Sequence, residues 1–411
     1  MARLTSRPLV AIACGGTGGH LFPGLAVADA LMGGGADVQL FVSRKAVDRL
    51  ALGGVGAEVQ VEELEAVGWD SRRPWRFLRG VMAAWGQARR CFRQRRPVAV
   101  LAMGGFTSVG PVLEAKRLGV PSFLHDSNTI PGRATRWLSR WVEEVFVGFP
   151  EAAGRLPGVR VREVGTPVRR EIGRLRRGDC CGSLGLDDGA SVLVVCGGSQ
   201  GALSVNTLVM DAMPMLRERV PGLQVVHLTG AADLARVKGF YSGLGMRAVV
   251  QAFSDRMPEV LGAADLAISR AGASSLAELA AACLPALLVP YPSAADNHQV
   301  ANADAFQRAG AASWREQAAL DGPAIAEWVS GMLRDCERRE SMRQALARRN
   351  RPHAAADIAH EILKVAADDL RAKLELGRAG GSGVVAGGAR GSGEVRCSGV
   401  VAGEGNGGGR L

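Results

Sequence analysis

The chain has 411 residues, 47% of them apolar, and a formal charge of +10. That length exceeds one ordinary core and suits two domains, and no stretch approaches the roughly 18 consecutive apolar residues of a membrane span. The positive charge fits nucleic acid, an anionic membrane surface or acidic substrates, but aromatics make up only 5% of the chain, which weakens the nucleic-acid reading.

The first apolar run, Leu9 to Ala13, is too short for a secretory core, and Ala11-Ile12-Ala13-Cys14 only faintly imitates a lipoprotein cleavage site. The run reads instead as a buried strand feeding Gly15-Gly16-Thr17-Gly18-Gly19-His20. Glycines let the backbone bring its N–H groups close to a ligand, and the following helix presents its positive end there, so the corner suits phosphate or another oxyanion. A helix over Gly24 to Met32, stopped by Gly33-Gly34-Gly35, and a strand over Val38 to Val42 complete a βαβ unit. A dinucleotide site would want a third glycine where Leu21 stands and an acid after the second strand, where Ser43-Arg44-Lys45 stands, so the NAD reading is demoted.

Residues 69–96 combine nine arginines with one acid, and Trp75, Leu78, Met82 and Trp85 recur at helical spacing. Two readings stay open: a helix packed on its own sheet with a solvated basic edge, or a membrane-surface patch with tryptophans at headgroup level. Strands over Val98 to Ala102 and Pro121 to Leu124 lead into a second glycine turn, Gly104-Gly105-Phe106-Thr107-Ser108-Val109-Gly110-Pro111, and into His125-Asp126-Ser127-Asn128. Because ligands of open α/β sheets bind beyond the carboxyl ends of strands, these loops should share one crevice. His125 has no second His or Cys at metal-ligand spacing and reads as a hydrogen-bonding loop residue. The eight cysteines include no Cys-x-x-Cys pair, which fits reduced structural thiols in a cytoplasmic protein.

A charged, irregular stretch from Gly165 to Ala190 reads as an interdomain connection. The α/β alternation then returns: strands over Val192 to Cys196, Gln224 to Leu228, Ala248 to Phe253, Leu266 to Ser269 and Ala286 to Val289, with a helix over Asn206 to Arg219. Gly197-Gly198-Ser199-Gln200-Gly201-Ala202 repeats the first phosphate-type corner. Glu278, about a turn into the helix after Ser269, could accept hydrogen bonds from the vicinal hydroxyls of a ribose or simply complement the helix dipole. Asp296-Asn297-His298-Gln299 and Asn302 could read sugar hydroxyls, or form a helix start capped by Asp296. Residues 322–374 are expected helical, and the glycine-rich end a disordered tail. The chain holds no Asp-x-Asp clamp for a divalent ion, so charge on a diphosphate would fall to loop N–H groups, helix ends, Ser199 and arginines.

The ordered series GGTGGH, GGFTSVGP, HDSN, GTPVR, GGSQGA, SRAGASSLAE and DNHQVANA resembles the bacterial MurG family over residues 8 to about 365. The resemblance implies an α/β GT-B glycosyltransferase fold: an N-terminal Rossmann-like acceptor and membrane-associating domain (1–165), a linker (166–190), a donor domain (191–350), a helix returning to the first domain (351–375) and the tail (376–411). It further implies inverting, metal-independent transfer of N-acetylglucosamine from its UDP donor to the 4-hydroxyl of MurNAc in undecaprenyl-pyrophosphoryl-MurNAc-pentapeptide, without a cofactor, on the cytoplasmic face of the inner membrane. Anionic lipid and cell-wall synthesis and division proteins would be its partners, nucleic acid would not. Carried onto this sequence, His20 is the candidate base. Thr17, Gly18, Gly19, Asn128, Arg169, Ser199, Gln200, Gly201, Phe253, Arg270, Ala273, Ser274, Glu278 and Gln299 would contact the donor. Gly16, Thr17, Gly104, Gly105 and Ser108 would hold the acceptor pyrophosphate, and Trp75, Leu78, Met82 and Trp85 would meet the membrane. The family's frequent HEQN is here His125-Asp126-Ser127-Asn128, one acid shorter and one amide fewer, and His298 stands where some relatives carry glutamine. Other readings are a GT-B transferase with a different lipid acceptor, a UDP-sugar epimerase on the same fold, or a nucleotide-binding module without catalysis.

Overall fold

Continuous apolar runs alternating with amphipathic stretches bury strands on both faces when helices cover a parallel sheet. The computed structural model, which describes residues 7–45, 48, 56, 59–66, 74–198 and 201–381, has this arrangement twice. The first half runs β1 (Leu9–Ala13), α1 (Gly18–Gly33), β2 (Asp37–Ser43), β3 (Gln60–Leu64), α2 (Pro74–Gln94), β4 (Ala99–Ala102), α3 (Val109–Leu118), β5 (Ser122–Asp126), α4 (Arg133–Leu138), β6 (Glu144–Val147) and β7 (Val161–Glu163). The second runs α5 (Arg177–Leu184), β8 (Val192–Cys196), α6 (Leu203–Arg219), β9 (Gln224–Leu228), α7 (Leu234–Leu244), β10 (Ala248–Gln251), α8 (Met257–Ala263), β11 (Leu266–Ser269), α9 (Ala273–Ala281), β12 (Ala286–Leu288), α10 (His298–Arg308) and β13 (Ser313–Trp314). Three helices follow, α11 (Gly322–Arg334), α12 (Cys336–Arg349) and α13 (Ala354–Gly381).

Among the described residues the strands pair in the orders β3-β2-β1-β4-β5-β6-β7 and β10-β9-β8-β11-β12-β13, every pair parallel. β1 shows why: its five residues are at most 3% exposed, and burying a Val, Leu or Ile side chain contributes about 1.5–3 kcal/mol. Register then places the site. Ala13 pairs with Phe41 and Ala102, so the loops after β1, β2 and β4 leave one edge of the first sheet. Cys196 pairs with Ser269 and Leu228, which does the same for the second.

Ile358, Ala359, Ile362 and Ala366 of α13 join the core of the first sheet beside Val10 and Leu31. Glu361 on that helix, 5% exposed, accepts from Arg162, which also donates to Glu144. The chain divides into a unit of Met1–Ala367 and one of Asp368–Leu411, the latter contributing the last turns of α13.

Three differences from the sequence reading have local causes. The helix expected from Gly24 begins at Gly18, with Pro23 inside it. The connection read as irregular contains α5, whose Cys180, Cys181 and Leu184 bury against Val192, Val194 and Val260. Trp85 leaves the exposed stripe: its Nε1 donates to the fully buried Glu114 of α3 at 2.8 Å, whereas Trp75, Leu78 and Met82 are 56%, 62% and 54% exposed. Residues 69–73 of the basic segment and the glycine-rich tail beyond Gly381 lie outside the described residues.

Candidate active site

Between the carboxyl edges of the two sheets lies a cleft of about 1210 Å³, lined by residues of both halves. Gly18, Gly19 and His20, the first turn of α1, open onto it from one side, and Ala273, Ser274 and Ser275, the first turn of α9, from the other. Two helix N-termini thus place partial positive charge at the same cleft. Pro23 makes their contact possible. It has no N–H to donate to the Gly19 carbonyl four residues back, and that carbonyl instead accepts from the Ser274 hydroxyl at 3.0 Å.

His20 lines this space, half-buried, its Nδ1 sharing a 3.3 Å hydrogen bond with the Thr17 hydroxyl. Its ring lies against Gly105, which has φ +74°; a Cβ there would stand 3.0 Å from the imidazole Cε1, so glycine keeps room for the ring. Burial holds the imidazole below its ordinary titration range, against the opposing pull of Asp126 and Asp48. A neutral imidazole is the form that can take a proton.

Arg169 crosses from the segment joining the halves. Its Nη1 donates to the Asp255 carbonyl at 3.0 Å, its Nη2 lies 3.4 Å from Glu278 Oε1, and its guanidinium stacks over Phe22 at 5.1 Å. Its Nε is buried with no hydrogen-bond partner among the described residues. Arg169 lines the cleft, which puts a guanidinium beside any oxyanion bound there. Glu278 lines the same cleft; burial raises its carboxyl while Arg169 pulls it down, with the net direction upward.

Asn128, Phe253, Ala273 and Gln299 also line the cleft, as do Thr17 and Gly105. Asp126 anchors the loop bearing Asn128, its Oδ2 accepting from Gly132 N–H at 2.8 Å and the Thr135 hydroxyl at 2.6 Å, its Oδ1 from Asn128 N–H at 3.1 Å. His125 is fully buried behind it. Its Nε2 meets the Gly165 carbonyl at 2.9 Å, and since a carbonyl only accepts, the proton sits on that nitrogen.

Several expected contacts do not face the cleft. Arg270 donates to the Val289 and Pro290 carbonyls at 3.0 and 3.1 Å, to Ser204 Oγ at 3.0 Å and to Gln317 Oε1 at 2.9 Å, tying the start of α6 to the end of β12. A guanidinium only 6% exposed needs such acceptors, and its role is structural. Gly16 N–H donates to Asp48 Oδ2 at 2.8 Å, so a carboxylate of the protein already occupies the amide expected to meet the acceptor pyrophosphate. The Ser43 N–H and hydroxyl bind the same oxygen. Ser108 is fully buried and donates to the Gly104 carbonyl at 2.7 Å, and both stand behind the cleft wall. Gly201, φ +76°, serves a turn: a Cβ would lie 2.1 Å from the Thr229 carbonyl oxygen. Asn302, read as a possible sugar contact, is fully buried, and Asp296 caps no helix but pairs with Arg136 at 2.7 Å. Ser199 and Gln200 lie outside the described residues.

Sequence reasoning missed the apolar wall. Phe77, Leu78 and Val81 of α2, with Phe106, Ile130 and Trp137, line the same cleft. Leu78 belongs both to this wall and to the exposed face of α2, so the two surfaces are continuous. Among the described residues no group of three His, Cys, Asp or Glu side chains is placed to hold a metal ion, and no helix is long and apolar enough to cross a membrane.

Residues 10–147 match the glycosyltransferase family 28 N-terminal domain and residues 192–362 its C-terminal domain. The chain is 36% identical over 354 residues to the UDP-N-acetylglucosamine--N-acetylmuramyl-(pentapeptide) pyrophosphoryl-undecaprenol N-acetylglucosamine transferase of Anaeromyxobacter sp. (strain Fw109-5), covering 85% of this chain and 91% of that protein. The protein of the same name from Synechococcus sp. (strain CC9902) is 42% identical over 332 residues, covering 78% and 87%. In fold, the chain is similar to the crystal structure of Acinetobacter baumannii MurG, with TM-score 0.65 and 24% identity over 87% of this chain and 99% of that one. It is also similar in fold to the S. aureus MnaA-UDP co-structure, with TM-score 0.64, 12% identity, and 86% and 96% coverage.

Proposed function

This chain belongs to the MurG family of glycosyltransferase family 28, and we propose that it transfers N-acetylglucosamine from UDP-N-acetylglucosamine to the 4-hydroxyl of MurNAc in undecaprenyl-pyrophosphoryl-MurNAc-pentapeptide, converting lipid I into lipid II. The observation that carries this reading is the meeting, in one cleft, of Arg169 and Glu278 with the N-terminus of α1, which carries His20, and the N-terminus of α9. In the proposed reaction the acceptor oxygen bonds to C1 of the sugar as the bond from C1 to the diphosphate breaks, with inversion. The hydroxyl proton passes to His20. The charge left on UDP is met by Arg169 and the α9 N-terminus, and Glu278 holds the ribose hydroxyls.

We propose that the reaction proceeds without a divalent ion, because the positive charge needed by the leaving diphosphate is supplied by these fixed groups. The enzyme would work as a peripheral protein on the cytoplasmic face of the inner membrane. Exposed Trp75, Leu78 and Met82, beside exposed Arg76 and Arg79, support this, and so does the continuity of that face with the apolar cleft wall, which suits an acceptor carrying a polyprenyl chain.

The test is transfer of labelled N-acetylglucosamine from its UDP donor to a lipid I analogue, with and without chelator. Equal formation of the disaccharide lipid in both supports reaction, acceptor and metal independence. Donor binding without glycosylation would overturn the acceptor assignment, and loss with chelator would overturn the metal-free mechanism.

A further inference from the structure

The loop after β5 and helix α10, which belong to different sheets, meet through one amide. Asn302 of α10 is fully buried, and its side chain uses its whole hydrogen-bonding capacity. Oδ1 accepts from the Thr129 N–H at 3.0 Å and from the Thr129 hydroxyl at 3.0 Å. Nδ2 donates to the Ala271 carbonyl at 3.1 Å and to Asn128 Oδ1 at 3.1 Å.

This orientation is forced. A backbone N–H only donates and a backbone carbonyl only accepts, so Thr129 N–H and the Ala271 carbonyl decide which end of Asn302 is oxygen. Asn302 can then offer Asn128 only a donor, and Asn128 must turn its oxygen toward it. The NH₂ of Asn128 is left at its other end, with a long 3.4 Å contact to Asp126 Oδ1, on a residue that lines the cleft. Gln299, on the same helix, obeys the same rule. Its Oε1 accepts from the N–H groups of Ala271 and Tyr291 at 3.2 and 2.9 Å, so its NH₂ is the uncommitted end.

We propose that Asn302 is a positioning residue for sugar selection: it locks the Asn128 amide so that the cleft presents N–H donors, selecting a donor sugar with a carbonyl or hydroxyl oxygen at that point. Asn302 and Asn128 come from different halves, so the lock exists only while the halves are in contact, and recognition of the sugar requires that contact. The inference rests on the reading of the cleft as a UDP-sugar site.

The experiment compares binding of UDP and of UDP-N-acetylglucosamine by calorimetry for wild type, Asn302→Ala, Asn302→Asp, Asn128→Ala and the Asn128→Ala/Asn302→Ala double variant, with thermal melting as the folding control. Asp keeps the volume of Asn302 but removes the NH₂ that holds Asn128. Both Asn302 variants are expected to bind UDP-N-acetylglucosamine about tenfold more weakly, with UDP binding unchanged, and the effect should vanish in the Asn128→Ala background. Equal weakening of UDP and UDP-sugar, or an effect that persists without Asn128, would make Asn302 a general structural residue and overturn the proposal. Should both Asn302 variants fail to fold, Asn128→Asp leaves the Asn302 donor its acceptor while replacing the NH₂ by oxygen. It should lose the sugar-dependent part of the affinity, and an unchanged preference would overturn the orientation. A wild-type protein that binds neither ligand would instead refute the UDP-sugar reading itself.

Discussion

Arg169 Nη2 lies 3.4 Å from Glu278 Oε1, with the two side chains only 21% and 15% exposed, so a cation from the interdomain segment neutralises the carboxylate assigned to the ribose. A carboxylate accepting from two vicinal hydroxyls makes charge-assisted bonds of about 1.5–3 kcal/mol each. Glu278→Ala should therefore weaken UDP binding by about 10²- to 10⁴-fold and abolish the preference for UDP over 2′-deoxy-UDP, both read by calorimetry. Unchanged affinity would remove the ribose assignment.

Burial lowers the His20 titration range, and the direction decides the pH profile. The neutral imidazole is the base, so activity falls only as pH drops through a pKa below the ordinary 6.5. The acid limb of kcat/KM should lie below pH 6.5 and disappear in His20→Ala, whose turnover should fall about 10²- to 10⁴-fold with donor affinity retained. A profile with its acid limb unmoved in the variant would assign that limb to another group.

The strands Val192–Cys196 and Leu266–Ser269 were legible to the residue because each is an apolar run ending at a turn or polar residue, and Gln224–Leu228 because β-branched and apolar Val225, Val226 and Leu228 sit between turn-forming segments. β3, β6, β7 and β13 were not: β3, β7 and β13 are short edge strands with only partial burial, such as exposed Gln60-Val61 of β3, and β6, though buried, is a four-residue stretch that opens on Glu144. In the site, glycine corners and motif order announced which loops converge. Side-chain direction was illegible. Arg270 sits at a strand end like a ligand-binding residue, and only the third dimension supplies the carbonyls that hold it away from the cleft. Trp85 lies two turns beyond the exposed Leu78 on nearly the same side of the helix, so only the packing of α3 shows that this end of the stripe is covered: Gly110 lies against the Ala84–Trp85 backbone and Glu114 accepts from the indole.

That contrast makes α2 a test of the membrane reading. Replacing Trp75 and Met82, which do not line the cleft, together by Ser should weaken binding to phosphatidylglycerol vesicles severely while leaving transfer to a soluble acceptor analogue intact, and wild-type binding should weaken as salt rises. Trp85→Phe should do the reverse. Vesicle binding should persist, and stability should fall by about 1–3 kcal/mol because the buried Glu114 loses a donor. Sedimentation with vesicles and chemical denaturation separate the two, and a Trp75→Ser/Met82→Ser variant that sediments like the wild type would refute the peripheral face.

Beneath the second phosphate-type corner, fully buried His227 links Tyr241 and Asn206, with Nδ1 3.1 Å from the Tyr241 hydroxyl and Nε2 3.0 Å from Asn206 Oδ1. Asn206 in turn donates to the Thr229 carbonyl, against which Gly201 turns. Burial lowers the His227 pKa to about 4. The unfolded chain, with an ordinary imidazole near 6.5, therefore binds the proton first, and folding stability is full above about pH 6.5 and declines as pH falls toward 4. The loss from this one group is roughly 3 kcal/mol. His227→Gln does not titrate, so its denaturation free energy should fall less steeply between pH 6.5 and 4.5 than that of the wild type. Parallel slopes would show that His227 is not neutral in the folded chain.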